Sequence, residues 1–444
     1  MNKKFSTKTV HAGEKVNEET GALTTPIYQT STFGFKNTNE ILSALEGKRY
    51  LYSRWSNPTV KALESKISIL ENGEETLAFS SGMAAISSTI LTFLVKNDHI
   101  LISRNVYGGT FDFSSTLLNR LGIKVTFLNF SDTELIEKSI QENTRLIYFE
   151  TPANPTMIIN DIKKIVSISR KNKIITAVDS TFASPVNQNP LDMKVDLVLH
   201  SGTKYINGHS DILLGTVTGS KKLIDKIKET RTILGGVLDP NSAFLALKGV
   251  KTLDLRVKKQ NQSAMKLAEF LEQNKKVDRV HYPGLKSNKY HKLATKQMRG
   301  YGGMLSFEVK GGLKNAKIIL ENLKICTLGA SLGGVESLVV SPAISSHSAM
   351  PKKEREKSGI KDPLGLSGHR LESKVHLVTI ARNIEKDLIT CLDKCEIDIE
   401  GFILEPLASS FSVLDKNEKN LGTAMIDIGG GTSDVIVYHN NSIL

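Results

Sequence analysis

The chain has 444 residues and a mass of 48.8 kDa, enough for two to four domains at the usual ~100–200 residues each. Hydrophobic residues make up 40% and charged residues 23%, ordinary globular usage that excludes disorder, collagen or coiled coil for the whole chain. The formal charge of +12 is uneven: residues 362–444 hold 7 Lys+Arg against 13 Asp+Glu, while residues 1–361 hold 51 against 33, a break that predicts two pieces of different character.

In chain order, Met1-Asn2-Lys3-Lys4-Phe5 has two lysines but no apolar stretch behind them, so no secretory signal is expected. Residues 1–60 are rich in Thr, Ser, Gly and Pro and read as an extended arm with short helices. From about 60 to 220, helical stretches alternate with short apolar runs: His99–Ser103, Lys124–Phe130, Arg145–Glu150, Ile174–Asp179, Asp196–Ser201 and Gly215–Gly219. Such runs between helices predict a mostly parallel sheet with helices on both faces. Around 220–275 the apolar spacing turns helical. Residues 301–345 read as strand and loop, with Met304–Val309 the clearest strand. No apolar run approaches the ~20 residues that cross a bilayer. Three cysteines are too few for a disulfide framework, which favours a reducing, cytoplasmic setting. The lysines of the basic body are scattered among acids with no aromatic-basic stripe, so nucleic-acid binding is not expected.

Three positions carry the chemistry. Lys204 follows the strand ending at Ser201, between Thr203 and a Gly-rich turn. A partly desolvated lysine there stays neutral and nucleophilic. Asp179 ends another strand, where an acid points into the ligand crevice of an α/β fold and suits a pyridinium nitrogen. Ser80-Ser81-Gly82-Met83-Ala84-Ala85 opens a helix whose N–H groups suit a phosphate. Phosphate cradle, acid and lysine together point to pyridoxal 5'-phosphate.

From about residue 5 to 361 the chain resembles the Cys/Met-metabolism family of pyridoxal-phosphate enzymes, which includes cystathionine γ-synthases, cystathionine and methionine γ-lyases and homoserine-ester sulfhydrylases. The matching blocks are Tyr52–Thr59, Ser80–Ile86, Tyr107–Gly109, Glu150–Pro155, Asp179–Phe182, Ser201–Gly208 and Ser331–Ser337. The resemblance implies an aspartate-aminotransferase-like (fold type I) α/β architecture, with a seven-stranded sheet in its large domain. Lys204 would be the Schiff-base lysine and Asp179 the partner of the ring nitrogen. Tyr107 would stack on the ring and assist the leaving group. Ser81, Gly82, Met83, Ser201 and Thr203 would hold the phosphate, and Asn154 would lie near the ring's 3-oxygen. Tyr52 and Arg54 would reach the phosphate of a neighbouring subunit, implying a homodimer or homotetramer with shared sites. Ser331 and Glu336 would face an amino-acid substrate, Glu336 near a distal amino group. The expected reaction is γ-replacement or γ-elimination on a homoserine-derived or sulfur amino acid, closest to a cystathionine γ-synthase. Gly109 leans away from those methionine γ-lyases that carry Cys there.

The family pattern then breaks. Its members end with a strand whose arginine grips the substrate carboxylate; here that position falls on Leu366, with Arg370 four residues late. The following stretch resembles the actin-like cell-division protein FtsA, chiefly through Leu364–Glu372, Leu404–Ser410 and Ile426–Asp434. This implies an actin-like (ribonuclease-H-like) fragment in which Asp427-Ile-Gly-Gly-Gly-Thr432 matches a phosphate loop, without the two domains an ATP site needs. The expected organisation is an arm (1–55), a large cofactor domain (56–245), a truncated α+β domain (246–361) with uncovered sheet edge and apolar surface, and the fragment (362–444). Cys391 and Cys395 read as reduced core thiols, and no metal site is expected.

Overall fold

The computed structural model describes residues 4–342, 382–395, 397, 403, 405–428, 433–439 and 442–443. Contacts divide the chain into two compact units, Met1–Leu371 and Glu372–Leu444. The expected junction after residue 361, Leu366 and Arg370 lie outside the described residues, as do residues 429–432.

The first unit begins with α1 (Phe5–His11), α2 (Thr38–Leu45) and α3 (Pro58–Glu71). Asn57 caps α3 by accepting the Thr59 N–H, with Pro58 at the first helical position. Strands and helices then alternate: β1 (Glu75–Phe79), α4 (Gly82–Phe93), β2 (His99–Ser103), α5 (Gly108–Asp112), β3 (Lys124–Leu128), α6 (Thr133–Lys138), β4 (Thr144–Glu150), α7 (Ile162–Lys171), β5 (Ile175–Asp179), α8 (Ser184–Asn187), β6 (Leu197–Ser201) and β7 (Gly215–Gly219). After α9 (Lys221–Leu234), α10 (Pro240–Lys251) and α11 (Leu253–Gln273) come β8 (Val277–His281), α12 (His291–Gln297), β9 (Ser306–Val309), α13 (Gly312–Asn322) and the short β10 (Thr327–Leu328) and β11 (Leu338–Val339). Helix α10 runs across residue 245.

The seven strands form one sheet in the order β1-β7-β6-β5-β4-β2-β3. Only β7 runs against its neighbours β1 and β6; the other pairs are parallel. Alternation along each strand builds two cores. Ile100, Ile102, Leu146 and Tyr148 pack with α4, α5 and α9 residues such as Ile86, Phe111 and Ile224. Leu101, Ile147, Phe149 and Val178 pack on the other face with Ile136 of α6 and Ile165 of α7. All six expected runs are strands, with ends shifted by a residue or two.

Strand β1 is the seventh strand, which the resemblance implies but none of the six apolar runs marks. Glu and Ala give it little strand propensity, and it lies at the sheet edge. Side chains satisfy that edge: the Ala78 N–H donates to Glu64 Oε1 at 3.0 Å, and Arg231 Nη1 donates to the Ala78 carbonyl at 2.7 Å and to Glu64 at 2.8 Å. A further correction concerns residues 301–345, expected as strand and loop. They contain β9 but also helix α13, whose Leu313, Ala316, Ile319 and Leu320 follow helical spacing.

In the second unit, strands Thr423–Ile428, Ser433–His439 and Ser442–Ile443 form an antiparallel sheet, with Ile428 opposite Ser433. Helices Arg382–Asp393, Glu405–Val413 and Lys416–Leu421 accompany it. Ser409 donates to the Asp427 carboxylate at 2.8 Å, and Ser410 pairs with the Tyr438 hydroxyl at 2.7 Å. Cys391 and Cys395 are exposed, which corrects their expected place in a core: Cys391 lies in the last turn of the helix Arg382–Asp393 and Cys395 two residues beyond its end, where both thiols face solvent. No group of three or more His, Cys, Asp or Glu able to hold a metal occurs among the described residues.

Candidate functional site

The site lies at the carboxyl ends of β4, β5 and β6, where open α/β sheets hold ligands. Asp179 ends β5 with 8% exposure and accepts the Thr181 N–H at 2.9 Å. Burial pushes its carboxyl above the ordinary carboxylate range, against the lowering effect of the Thr181 hydrogen bonds. The Thr181 hydroxyl accepts the Ser201 N–H at 2.8 Å, tying the end of β5 to the end of β6. Lys204 sits one turn beyond Ser201. Burial pushes its amine below the ordinary lysine value, and the amine donates to Ser331 Oγ at 3.0 Å.

Ser81 caps α4 by accepting the Ala84 N–H at 3.1 Å. The first-turn N–H groups of Gly82 and Met83 have no intrahelical acceptor. A Cβ at Gly82 would stand 3.0 Å from that of Ser201, so the helix start and the β6 turn form one cradle that a larger side chain would fill. Thr203 Oγ1 accepts the Leu214 N–H at 2.8 Å. Its only acceptor among the described residues is the Leu214 carbonyl at a long 3.4 Å, which leaves the hydroxyl proton available to an anion.

Tyr107 is 45% exposed, and its backbone N–H donates to Glu150 Oε1 at 2.7 Å. A Cβ at Gly109 would fall 2.6 Å from the Tyr107 ring and 3.2 Å from Met83 Sδ, so Gly109 gives that ring its place beside the helix start. Glu150 ends β4 directly beside Asp179 in register. Burial, and then the neighbouring Asp179 charge, push its carboxyl well above the ordinary range. Glu150 and Thr181 stood within matching blocks without a role. The available signal was that Glu150 terminates its strand as Asp179 terminates the next.

Asn154 lies on the loop after β4, beside the Ala153–Ile158 bridge. Glu336 is exposed and accepts the Ser210 hydroxyl at 3.0 Å. Tyr52 and Arg54 are apart from this cluster in their contacts: Arg54 stacks over the Tyr52 ring at 5.6 Å and donates to the Thr232 carbonyl at 2.7 Å. An amine and a buried acid thus lie at neighbouring strand ends tied through Thr181, with an N–H cradle against Ser201. These are group types that could hold the aldehyde, ring nitrogen and phosphate of pyridoxal 5'-phosphate.

A family profile described as "Cys/Met metabolism PLP-dependent enzyme" matches residues 6–365. An L-methionine gamma-lyase of Fusobacterium nucleatum subsp. polymorphum is 43% identical over 365 residues, covering 81% of this chain and 92% of that protein. A cystathionine beta-lyase of Lactococcus lactis subsp. cremoris (strain MG1363) is 44% identical over 362 residues, covering 81% and 93%. The crystal structure of cystathionine gamma-lyase from Lactobacillus plantarum complexed with L-serine superposes with a TM-score of 0.77 at 38% identity, covering 81% and 92%. The chain belongs to the Cys/Met-metabolism family of pyridoxal-phosphate-dependent enzymes, and its cofactor is pyridoxal 5'-phosphate. No described helix is long and apolar enough to cross a membrane.

Proposed function

We propose that this family member catalyses γ-replacement or γ-elimination on a homoserine-derived or sulfur amino acid, with Lys204 as the cofactor-binding lysine. The observation that carries the reading is the bonded run from Asp179 through Thr181 to Ser201, which seats the acid beside the Lys204 turn. When bound, the cofactor supplies an electron sink for negative charge at the substrate α-carbon. The residues do the rest. The buried Asp179 gains a cationic ring nitrogen that favours its ionised form. Gly82, Met83, Ser81, Ser201 and Thr203 hold the phosphate. Lys204, whose amine burial shifts toward the neutral form, would take the proton from the substrate α-carbon. The Tyr107 ring would cover the cofactor, and its hydroxyl would protonate the leaving group. A thiol then replaces that group, or water leads to a 2-oxo acid and ammonia.

Cystathionine γ-synthase-like replacement is the favoured reaction. Cystathionine or methionine γ-elimination and homoserine-ester sulfhydrylation are the alternatives, the names of the relatives add β-elimination, and incubation with homoserine esters plus cysteine or sulfide, with cystathionine and with methionine separates them by product. Turnover is weak in this reading, because Leu366 stands at the carboxylate-binding arginine's position. Tyr52 and Arg54, exposed in one subunit, complete a neighbour's phosphate site in a homodimer or homotetramer. Visible absorption of the cofactor-loaded chain, lost in Lys204→Ala, tests the assignment; a band that survives the substitution rejects it.

A second reading gives the tail a division-protein-like interaction role in a catalytically inactive fusion. It is favoured by the antiparallel pair Thr423–Ile428 and Ser433–His439, whose first strand carries Asp427 of the block that resembles a phosphate loop. Residues 362–444 expressed alone and found unfolded would count against it.

A further inference from the structure

We propose that Arg256 and Gln260, one turn apart on α11, are positioning residues that hold the Lys204 turn against the 331–336 loop and so set where the Lys204 amine points. The proposal rests on Lys204 being the cofactor-binding lysine.

Residues four apart share a helix face. From that face Arg256 donates to the carbonyls of Tyr205 at 2.8 Å, Ile206 at 3.3 Å and Gly249 at 2.8 Å, and to Thr252 Oγ1 at 3.0 Å. None of these partners is a carboxylate. Burial pushes the guanidinium pKa down to about 10, and a desolvated cation is tolerated only when its donors are well matched. The loop is shaped around it. Gly208 has φ of +73°, and a Cβ there would stand 1.9 Å from Arg256 Nη1. Glycine alone meets both demands.

Gln260 holds the other loop. Its Nε2 donates to the Gly334 carbonyl at 2.8 Å and to that of Gly333 at 3.4 Å. Gly333 in turn lies flat on the lysine turn: a Cβ there would fall 2.7 Å from the Tyr205 nitrogen and 3.1 Å from the Lys204 carbonyl carbon. The Val335 N–H donates to the Gly208 carbonyl at 3.1 Å. Both loops are therefore bonded to one helix face and to each other, and the Lys204–Ser331 hydrogen bond spans their junction. A reactive group on a loop needs such support from a rigid element.

The test is the pH profile of Lys204 acylation by acetic anhydride in the full-length chain without cofactor, read by peptide mass spectrometry. Gln260→Met keeps the bulk and removes the donors. It should raise the midpoint by about one pH unit as the amine gains water. Arg256→Lys should shift it the same way; if that variant fails to fold, Gln260→Met decides. Asn261→Ala is the control, because Asn261 binds Asn187 and the Gly302 N–H and neither lysine-site loop. It should lower thermal stability without moving the midpoint. An unchanged midpoint in Gln260→Met, or an equal shift in Asn261→Ala, overturns the proposal. A visible band that survives Lys204→Ala in the loaded protein is a different failure: it removes the premise that Lys204 carries the cofactor.

Discussion

Helices α7 and α13 have similar lengths and each carries an apolar stripe, yet their burial differs completely. Helix α7 buries Ile162, Ile165, Val166, Ile168 and Ser169 against the seven-stranded sheet. Helix α13 buries no residue. It lies on a sheet of only two strands, β8 and β9, and two strands make a marginal platform. Ile318 is 50% exposed, and Ile325 and Leu328 beyond the helix are 87% and 54% exposed. An apolar stripe makes burial available, but the partner surface decides how much is used. The same contrast places the chemistry. Every residue proposed to bind the cofactor from its own subunit sits on or just beyond the well-packed sheet and its helices, whereas Ser331 and Glu336 belong to the thinner region.

The largest expected loss comes from the edge device of the well-packed region. Glu64→Ala should cost about 3–5 kcal/mol in denaturant unfolding, because it leaves the buried Arg231 cation without its carboxylate; a loss under about 1 kcal/mol would make the pair no better than a surface ion pair. Asp179→Asn should weaken cofactor binding by about 2–5 kcal/mol in fluorescence titration. In the absence of cofactor the sign reverses. Burial raises the Asp179 pKa, so the acid disfavours the fold at neutral pH, and the Asn variant should be the more stable apoprotein.

The comparison of the two helices is tested directly by paired substitutions. Ile165→Ala should cost about 2–5 kcal/mol, while Ile318→Ala should stay within about 0.5 kcal/mol. Equal costs would mean that α13 is covered as well as α7. A pH-dependent effect concerns His99, buried between Thr144 and Thr126 at 2.8 and 2.9 Å. Burial lowers its pKa below the ordinary 6.5. Its neutral ring therefore supports the fold above that pH, and its contribution is lost as pH falls below it. The slope is at most ~1.4 kcal/mol per pH unit for one proton, and His99→Gln should flatten the dependence of the melting temperature.

The central strands were legible because β2, β4, β5 and β6 are short, almost wholly apolar and separated by helical spacing. β1 was hidden because its edge is completed by Glu64 of the preceding helix and by Arg231 of α9, far along the chain, which no local pattern reveals. Lys204, Asp179 and the Ser81–Met83 helix start were legible because strand ends and helix starts have chemical signatures. Glu150 was overlooked because its meaning depends on lying in register beside Asp179. Arg256 and Gln260 were invisible for the same reason: on α11 they resemble ordinary surface side chains until the loops they hold are folded over them.

The central claim is that one cofactor joins the Lys204 turn to the Asp179 strand end. Reduction of the loaded chain with borohydride, followed by peptide mapping, tests it most directly. A reduced pyridoxyl group is expected on the peptide containing Lys204. Its appearance on another lysine, or on none in a folded and loaded protein, would contradict the account.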